Sequence, residues 1–356
     1  MILVLGLAVV LWSAGALLGA PRSLQLMMVA TIYVAVIIIQ VALPSGHALR
    51  EATGGSVAHW LILGGLTVLV LFYRNGLQRL RKLAHKRTAS SQFELSSPGV
   101  FSEVELERYA RHIILREIGG GGQRKLKTSR VLVIGAGGLG SPALQYLAAA
   151  GVGHVGIIDD DVVTNSNLQR QVIHRDADIG VAKVFSAASA MVAQNPFIDV
   201  KAYKRRLTAE IARDLIADYD VVLDGSDNIE TRYLANAAAV AANRPLVSGA
   251  LSQWEGQLSV FFPKKGGPCY QCLFPNPPAP ELTPSCAAAG IVGPLPGVIG
   301  SMMALEAIKI ITEAGTEIRG KMLIYDALWG ETRQISVPRQ SDCAICGRVN
   351  QSDGES

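Results

Sequence analysis

"VLVIGAGGLGSP", Val131 to Pro142, decides the fold, because four apolar residues run directly into a glycine-rich turn. An apolar run with no polar alternation is the pattern of a strand covered on both faces, as at the centre of a parallel sheet. Gly135, Gly137 and Gly140 then fit G-x-G-x-x-G opening a helix. In that motif the first glycine allows the tight turn and the second lets backbone N–H groups approach a phosphate. The third lets the helix pack closely on the strand. The spacing alone leaves three readings open: an NAD site, a site for another nucleotide, or a turn that serves packing.

Outward from this turn the chain alternates strands and helices. "HVGIIDDD" reads as a second strand ending in three aspartates, and Asp159, the first of them, lies 24 residues after Gly135, near where an acid bonds the ribose of a nucleotide. Helices are expected through "ALQYLAAAGV" and over about Lys183–Asn195, and strands at "DVKAYK" and "YDVVLDGSDN". Upstream, Ser102 and Glu105 form a capping-box pattern that opens a helix through "ELERYARHIILREI", broken by "GGGG", Gly119 to Gly122. Such alternation specifies a doubly wound, mostly parallel α/β sheet with ligands at the carboxyl ends of its strands, where Asp159 and Asp227 both fall. Asp227 could equally cap the helix that follows it. Past "RPLVSGAL", "QWEGQLSVFFP" reads as antiparallel strands crossing toward a second layer, "GVIGSMMALEAIKIIT" as a buried helix, and "GKMLIYDALWGETRQISV" as a closing hairpin.

The first 73 residues differ in kind, carrying only three charges, Arg22, Arg50 and Glu51. Three apolar segments, Ile2–Ala20, Leu24–Leu43 and Val57–Tyr73, have 19, 20 and 17 residues. A helix of about 20 residues crosses the ~30 Å hydrocarbon core, so each reads as a membrane span. A signal peptide would need basic residues before its apolar stretch, and soluble helices would carry more charge. "RNGLQRLRKLAHKR", Arg74 to Arg87, holds six Lys or Arg and no acid, which places this flank and everything after it in the cytoplasm of a multi-pass membrane protein. Leu77, Leu80 and Leu83 allow the flank to lie on anionic headgroups, or it is a plain stop-transfer flank. The organisation expected is residues 1–87 as membrane segment with its flank, 88–100 as a Ser-rich linker, and 101–356 as the α/β domain. Residues 1–100 hold 8 basic and 2 acidic residues, leaving 25 basic and 27 acidic beyond. The mild basicity therefore belongs to the membrane segment, and no nucleic-acid groove is implied.

All five cysteines lie in the last ninety residues. Cys269 and Cys272 form one C-x-x-C, and Cys343 and Cys346 another, the donor set of a closed four-cysteine zinc site. With 70 residues between the pairs, the site would clip the C-terminal tail back onto the sheet. Structural zinc binds with roughly 10–16 kcal/mol, a major share of stability. Redox dithiols are the competing reading, but neither pair follows the strand-to-helix pattern of thioredoxin-like sites.

Taken together, "RYARHIILREIG", "GAGGLGSP", "DDDVVTNSNLQRQ", "GVAKV", "LDGSDN", "WEGQLSVF", "CYQC" and "CAIC" resemble the MoeB/ThiF/HesA family, relatives of the ubiquitin-activating enzymes, over about Glu105 to Gly347. The resemblance implies that the turn holds ATP and that the reaction is adenylation of the C-terminal glycine of a ubiquitin-like sulfur carrier. A terminal carboxylate, with a pKa of about 3.3–3.7, is already an ionised nucleophile and needs no general base. Orientation and neutralisation of the triphosphate are what remain.

By the same resemblance Gly135, Gly137, Gly138 and Gly140 meet the nucleotide and Asp159 holds its ribose. Ser166, Asn167, Leu168, Gln169 and Arg170 form a nucleotide-contacting turn, with Asn167 hydrogen-bonding and Arg170 near the phosphates. Lys183 adds a positive charge, and Asp227, with Asn228 beside it, holds Mg²⁺. Arg111 reaches the nucleotide of the other subunit of a homodimer; its alternative is a surface ion pair. Cys286 is the unpaired cysteine, with thioester or persulfide chemistry on the carrier as one reading and an inert loop thiol as the other. The "WEGQLSVF" strand and "CLFPNPPAPEL" loop are expected to dock the carrier's tail.

The leading expectation is a molybdopterin-synthase-type adenylyltransferase acting on a MoaD-type carrier ending in Gly-Gly. The same chemistry on a ThiS-type carrier of the thiamine pathway, a non-catalytic membrane-tethered carrier-binding protein and an NAD-dependent dehydrogenase are the alternatives. Ten residues follow Cys346, too few for a rhodanese-like domain, so sulfur is expected from a separate donor protein.

Overall fold

The computed structural model describes residues 2–17, 21–44, 46–67, 69–70, 72–74, 76, 100–277 and 290–347. The chain divides into two units, Met1–Ala89 and Ser90–Ser356. The first contains α1 (Ile2–Leu17), α2 (Arg22–Ala42), the short α3 (Ala48–Ala52) and α4 (Val57–Arg74). Leu24–Ala42 and Val57–Arg74 are long and apolar enough to cross a membrane by length and composition, while the described part of α1 has 16 residues. Leu3, Val34, Ile38, Leu61, Leu66 and Phe72 are exposed, the surface expected of helices that meet hydrocarbon.

Polar groups in this unit gather at one turn. Gln40 Nε2 donates to Arg50 C=O and to Thr53 Oγ1, both at 2.8 Å, and Trp60 Nε1 donates to Thr53 C=O at 3.0 Å. Tyr33 Oη donates to Trp60 C=O at 2.7 Å, which ties α2 to α4. The basic flank's Leu77, Leu80 and Leu83 and most of the 88–100 linker lie outside the described residues.

In the second unit the apolar run forms β1 (Arg130–Ile134), with four of its five residues buried. A strand's period of two splits it between two core layers. Val131 and Val133 pack with Leu144, Leu147, Met191, Ile299 and Met303, while Leu132 and Ile134 pack with Ile216, Val222, Ala235 and Ala239. Both faces are covered, so the sequence shows no alternation.

β1 pairs in parallel with β2 (His154–Ile158) and β4 (Val221–Asp224), β2 with β3 (Asp199–Tyr203), and β4 with β5 (Leu246–Leu251). Antiparallel β6 (Glu255–Phe261), β7 (Lys321–Asp326) and β8 (Glu331–Ser336) follow in one sheet of order β3-β2-β1-β4-β5-β6-β7-β8. The expectation of a second layer is corrected here. A tight turn, with Ser252 N–H bonded to Glu255 C=O at 2.8 Å, folds β6 onto the open edge of β5, where its backbone groups are satisfied within the same sheet. Strand order reverses between β1 and β4, opening the crevice where such sheets hold ligands.

The helices of this unit are α5 (Glu103–Ile113), α6 (Gly119–Thr128), α7 (Gly140–Ala150), α8 (Lys183–Gln194), α9 (Ala209–Ala217), α10 (Ile229–Ala241), α11 (Tyr270–Leu273) and α12 (Pro294–Thr312). α7, α8 and α12 cover one face; α9 and α10 cover the other. α12 is also apolar enough to span a membrane, but its Leu295, Ile299, Met303 and Ala307 lie in the sheet's core.

The capping box at Ser102 and Glu105 forms as the sequence predicts. The expected helix through Ile118 is shorter, ending at Ile113, and "GGGG" opens α6 rather than merely breaking a helix. Gly119 takes φ +58°, and a Cβ on Gly122 would stand 3.0 Å from Ile118 and 3.4 Å from Thr312 at the end of α12, so a small residue is needed at that contact.

A sharp test of the β1–α7 junction follows from Gly140, where a Cβ would sit 1.9 Å from the carbonyl oxygen of Gly135, whereas at Gly137 the nearest atom is 3.7 Å away. Gly140→Ala is predicted to cost about 1–3 kcal/mol or prevent folding, and Gly137→Ala to leave stability nearly unchanged, both read by urea unfolding of detergent-solubilised chain.

Candidate active site

Gly135 leaves β1 with φ +93°, its N–H bonded to Ile158 C=O at 2.9 Å, and a Cβ there would stand 3.1 Å from Gly225 C=O. The glycine turn is thereby pressed between the ends of β2 and β4. Among the described residues the N–H groups of Gly137 and Gly138 have no acceptor. They stand at the N-terminal, partially positive end of α7, an arrangement that suits a phosphate. A Cβ on Gly138 would meet Pro296 of α12 at 3.1 Å and Arg170 Cδ at 3.8 Å.

Asp159 closes one side of the turn. Its Oδ2 accepts the Ala136 N–H at 2.7 Å and its Oδ1 the Asp161 N–H at 2.8 Å, leaving each oxygen a further lone pair. Burial pushes this carboxyl above the usual carboxylate range, opposed by the Ala136 amide, the Lys183 charge and the Asp161 amide. Lys183 begins α8 with its side chain buried, and its Nζ bonds Asp161 Oδ2 at 2.6 Å. The segment after β2 turns back to make that pairing, with Lys183 N–H on Asp161 C=O at 3.0 Å and Val163 N–H on Val181 C=O at 2.9 Å.

"SNLQR" wraps the turn's other side. Asn167 Oδ1 accepts the Thr164 N–H at 3.1 Å, which holds a short 3-10 turn over Asn165–Asn167. Arg170 Nη1 donates to Ser166 C=O at 3.0 Å, so the guanidinium is pinned along the turn. Ser166 and Gln169 are exposed; Leu168 and Arg170 are half-buried. Gly293, before α12, leaves room for Gln169, whose carbonyl oxygen would be 2.7 Å from a Cβ there.

Beyond β4, Asp227 is exposed and makes no hydrogen bond or ion pair among the described residues. Capping of α10 belongs to Asn228, whose Oδ1 accepts the Thr231 N–H at 2.9 Å. Asn228 therefore acts on the helix, and Asp227 is left with its carboxylate open.

Sequence reasoning missed what holds this loop. Asp224 ends β4 fully buried, with Ser226 N–H on its Oδ1 at 3.0 Å and Ser248 Oγ on its Oδ2 at 3.1 Å. Arg232 Nη1 lies 3.6 Å from that carboxylate and 3.2 Å from Ser248 Oγ, and Nη2 donates to Ser226 C=O. A buried ion pair thus grips Ser226, the residue before Asp227. The signal was present as an acid at a strand end and an arginine eight residues on, but an exposed arginine on a helix has the same spelling.

Arg111 is not brought to the turn within this chain. Tyr109, on the same helix, packs against Gly151 at the far end of α7 and accepts from Asn195 Nδ2 at 2.8 Å. α7 has 11 residues, so that contact lies ~16 Å from the turn. Arg111 is exposed and carries no ion pair among the described residues. Cys286 lies outside the described residues, as does part of the "CLFPNPPAPEL" loop. A cavity of about 220 Å³ lined by Arg130, His154, Asp199, Lys201 and Tyr219 opens at the amino ends of β1–β3, away from all of these groups.

Cys269, Cys272, Cys343 and Cys346 bring their sulfurs within 4.8 Å of one another. Three edges measure 3.9 Å (Cys269–Cys272), 3.6 Å (Cys269–Cys343) and 3.4 Å (Cys272–Cys346). A tetrahedron with zinc–sulfur bonds of about 2.3 Å has edges of roughly 3.8 Å, so the donor set is compatible with zinc. Burial pushes the Cys269 thiol up, and Cys346 up to about 11, while the Cys346 and Ile345 amides draw Cys343 down against its own burial. Gln340 N–H on Cys272 Sγ at 3.4 Å and Gln340 Nε2 on Cys272 C=O at 2.8 Å fasten the C-terminal segment to α11.

With this geometry in view, the sequence profile of the ThiF family matches residues 109–345. The chain belongs to the ThiF family. A sulfur carrier protein adenylyltransferase from Thermus thermophilus is 48% identical over 69% of this chain and 93% of its own length. A Mycobacterium tuberculosis protein named probable adenylyltransferase/sulfurtransferase MoeZ is 51% identical over 66% of this chain and 61% of its own length. The SAMP-activating enzyme E1 of Haloferax volcanii is 46% identical over 68% and 90%. E. coli MccB, solved with AMPCPP and MccA, shares the fold at a TM-score of 0.60 and 23% identity, over 68% of this chain and 74% of its own. As a ThiF-family member with adenylyltransferase relatives, the chain is an enzyme of the nucleotidyltransferase type.

Because the Asp224–Arg232 pair is buried, removing one partner strands the other. Arg232→Leu is predicted to lower stability by about 3–5 kcal/mol, measured by urea unfolding, while Arg206→Leu, in an exposed pair with Glu230, changes it by less than about 1 kcal/mol.

Proposed function

We propose that this enzyme uses ATP to adenylate the C-terminal glycine of a ubiquitin-like sulfur carrier of the MoaD type, preparing it to receive sulfur for molybdenum cofactor biosynthesis. One observation carries the reading: the crevice between β1 and β4 gathers free N–H groups, cations and an open carboxylate, and among the described residues it offers no activated nucleophile with a base. That suits a reaction whose nucleophile arrives already ionised. A carrier carboxylate oxygen bonds to the α-phosphorus, the bond to the β-phosphate oxygen breaks, and that electron pair leaves with pyrophosphate; no proton need move.

The placement supports the following roles. Gly137 and Gly138 N–H groups face the phosphates, with Gly135 and Gly140 permitting the turn. Asp159 takes a ribose hydroxyl on its remaining lone pairs. Ser166, Asn167, Leu168 and Gln169 form the wall that aims Arg170, and Arg170 with Lys183 stabilises charge on the leaving phosphates. The open carboxylate of Asp227 suits a hard cation, and Mg²⁺ held there would offset phosphate charge. Zinc in the four-cysteine cluster would be structural.

Arg111, far from its own turn, fits service to the nucleotide of a second copy, making a homodimer the working unit. Trp254 and Trp329 are 43% and 75% exposed, Trp254 C=O accepts the Ala327 N–H at 2.8 Å two residues before Trp329, and the two rings offer apolar surface for the carrier. Cys286 thiol chemistry and a separate sulfur donor complete the proposal.

Exchange of labelled pyrophosphate into ATP, assayed with each carrier ending in Gly-Gly, tests it. A MoaD-type carrier is expected to support exchange and a ThiS-type carrier not to. Asp227→Ala is expected to reduce exchange at least about 100-fold with zinc content unchanged. Exchange by that variant at the unaltered rate, or exchange with no carrier but the thiamine one, would overturn the corresponding part.

The N-terminal unit is proposed to anchor the enzyme in the membrane with its catalytic unit in the cytoplasm. Accordingly, the intact chain is expected to stay with the membrane fraction through a high-salt wash and to leave it only in detergent.

A further inference from the structure

His174 holds the glycine turn from behind, a contact that the proposed chemistry does not use. The ring is buried, with Nε2 2.9 Å from Ala136 C=O and Nδ1 2.8 Å from Ser186 Oγ on α8. Ser186 Oγ in turn lies 2.7 Å from Asp178 Oδ2. A carbonyl oxygen can only accept, so Nε2 carries a proton. Ser186 has one proton for two neighbours, so the Nδ1 side can rearrange while the Nε2 side cannot. Burial holds the imidazole below its ordinary range, with Lys183 adding to that and the Ala136 carbonyl, Asp178 and Asp159 opposing it.

The consequence lies in the peptide geometry. A trans peptide points its C=O and N–H in opposite directions, and Ala136 C=O shares its peptide with Gly137 N–H. Drawing the oxygen inward onto His174 therefore turns the Gly137 N–H outward. The preceding peptide is fixed separately, by Asp159 on the Ala136 N–H at 2.7 Å. Two side chains thus set the two peptides around Ala136, and the outward-facing N–H has no acceptor among the described residues.

We infer that His174 is a positioning residue for the nucleotide: its Nε2–H holds the Ala136 carbonyl so that Gly137 N–H is aimed at the phosphates. This rests on the reading that the turn holds ATP. Two polar variants separate aim from bulk. His174→Gln places an amide N–H where Nε2 stands, and His174→Asn places one where Nδ1 stands, reaching Ser186 but not Ala136. Equilibrium binding of Mg–ATP to the full detergent-solubilised chain is expected to weaken about five- to tenfold in the Asn variant and to return within about twofold of the unaltered chain in the Gln variant. Zinc content and the thermal midpoint, measured on both, report whether each is folded. Binding by folded His174→Asn as tight as the unaltered chain's, or binding by folded His174→Gln as weak as that of His174→Asn, would overturn the inference. An unaltered chain that binds no Mg–ATP would overturn the nucleotide reading and this inference with it, a result distinct from either of those.

Discussion

The architecture depends on a close backbone contact: the first residue of α7 stands so near the Gly135 carbonyl that a single carbon atom at Gly140 would occupy the same space. Only a glycine there lets the helix start so close to the end of the strand. The five residues between them, 135–139, make a tight turn, so the helix N-terminus opens into the crevice between β1 and β4, and the amides of Gly137 and Gly138 are left without partners among the described residues. Every other feature of the crevice is arranged around those amides. Asp159 ties the turn to β2, Gly225 presses on it from β4, and Pro296 and Arg170 close it at Gly138.

Three elements distant in sequence meet at this turn because each follows a parallel strand or packs on the sheet's covered face. The acids after β2 double back to the start of α8, which puts the Lys183 charge beside Asp159. The "SNLQR" turn lies between them and the start of α12, where Gly293 leaves space for Gln169. The cysteine cluster has a different task. It ties a segment some seventy residues further along the chain to α11, where Tyr270 packs on Phe261 of β6. The sheet's antiparallel extension is thus fastened at a point remote from the glycine turn.

Much of this was legible because the residue types carry their geometry with them. Four apolar residues before G-x-G-x-x-G could only be a covered strand feeding a helix, and β1, β2, β3 and β4 stand where "VLVI", "HVGII", "DVKAY" and "VVLD" placed them. Two C-x-x-C pairs meet across seventy residues, as their spacing as a four-cysteine donor set implied. What escaped reading was whatever depended on partners. Nothing in "RHIILREIGGGG" shows that α5 stops at Ile113 or that the glycines open α6, where Gly122 comes close to Thr312. Nothing in "QLSVFF" distinguishes a strand that extends the sheet from one that begins another. The grip of Arg232 on Asp224, and the cap at Asn228 rather than Asp227, needed side-chain positions that periodicity does not contain.

The two ion pairs of the crevice differ in a way that matches different duties. Asp224 and Arg232 are 1% and 9% exposed, and their bonds to Ser226 and Ser248 satisfy groups that water does not reach. Separating them would strand a charge in a low-dielectric interior, so the loop that carries Asp227 is held in one conformation. Lys183 is also buried, but its partner Asp161 is 65% exposed and can return to water at little cost. A triphosphate entering the crevice could therefore take over one ammonium contact from Asp161 without breaking the fold, while Asp227 stays fixed. Rigidity sits under the carboxylate proposed to hold a cation and exchangeability under the lysine proposed to meet the phosphates, the division expected if the site grips a charged substrate and then releases pyrophosphate.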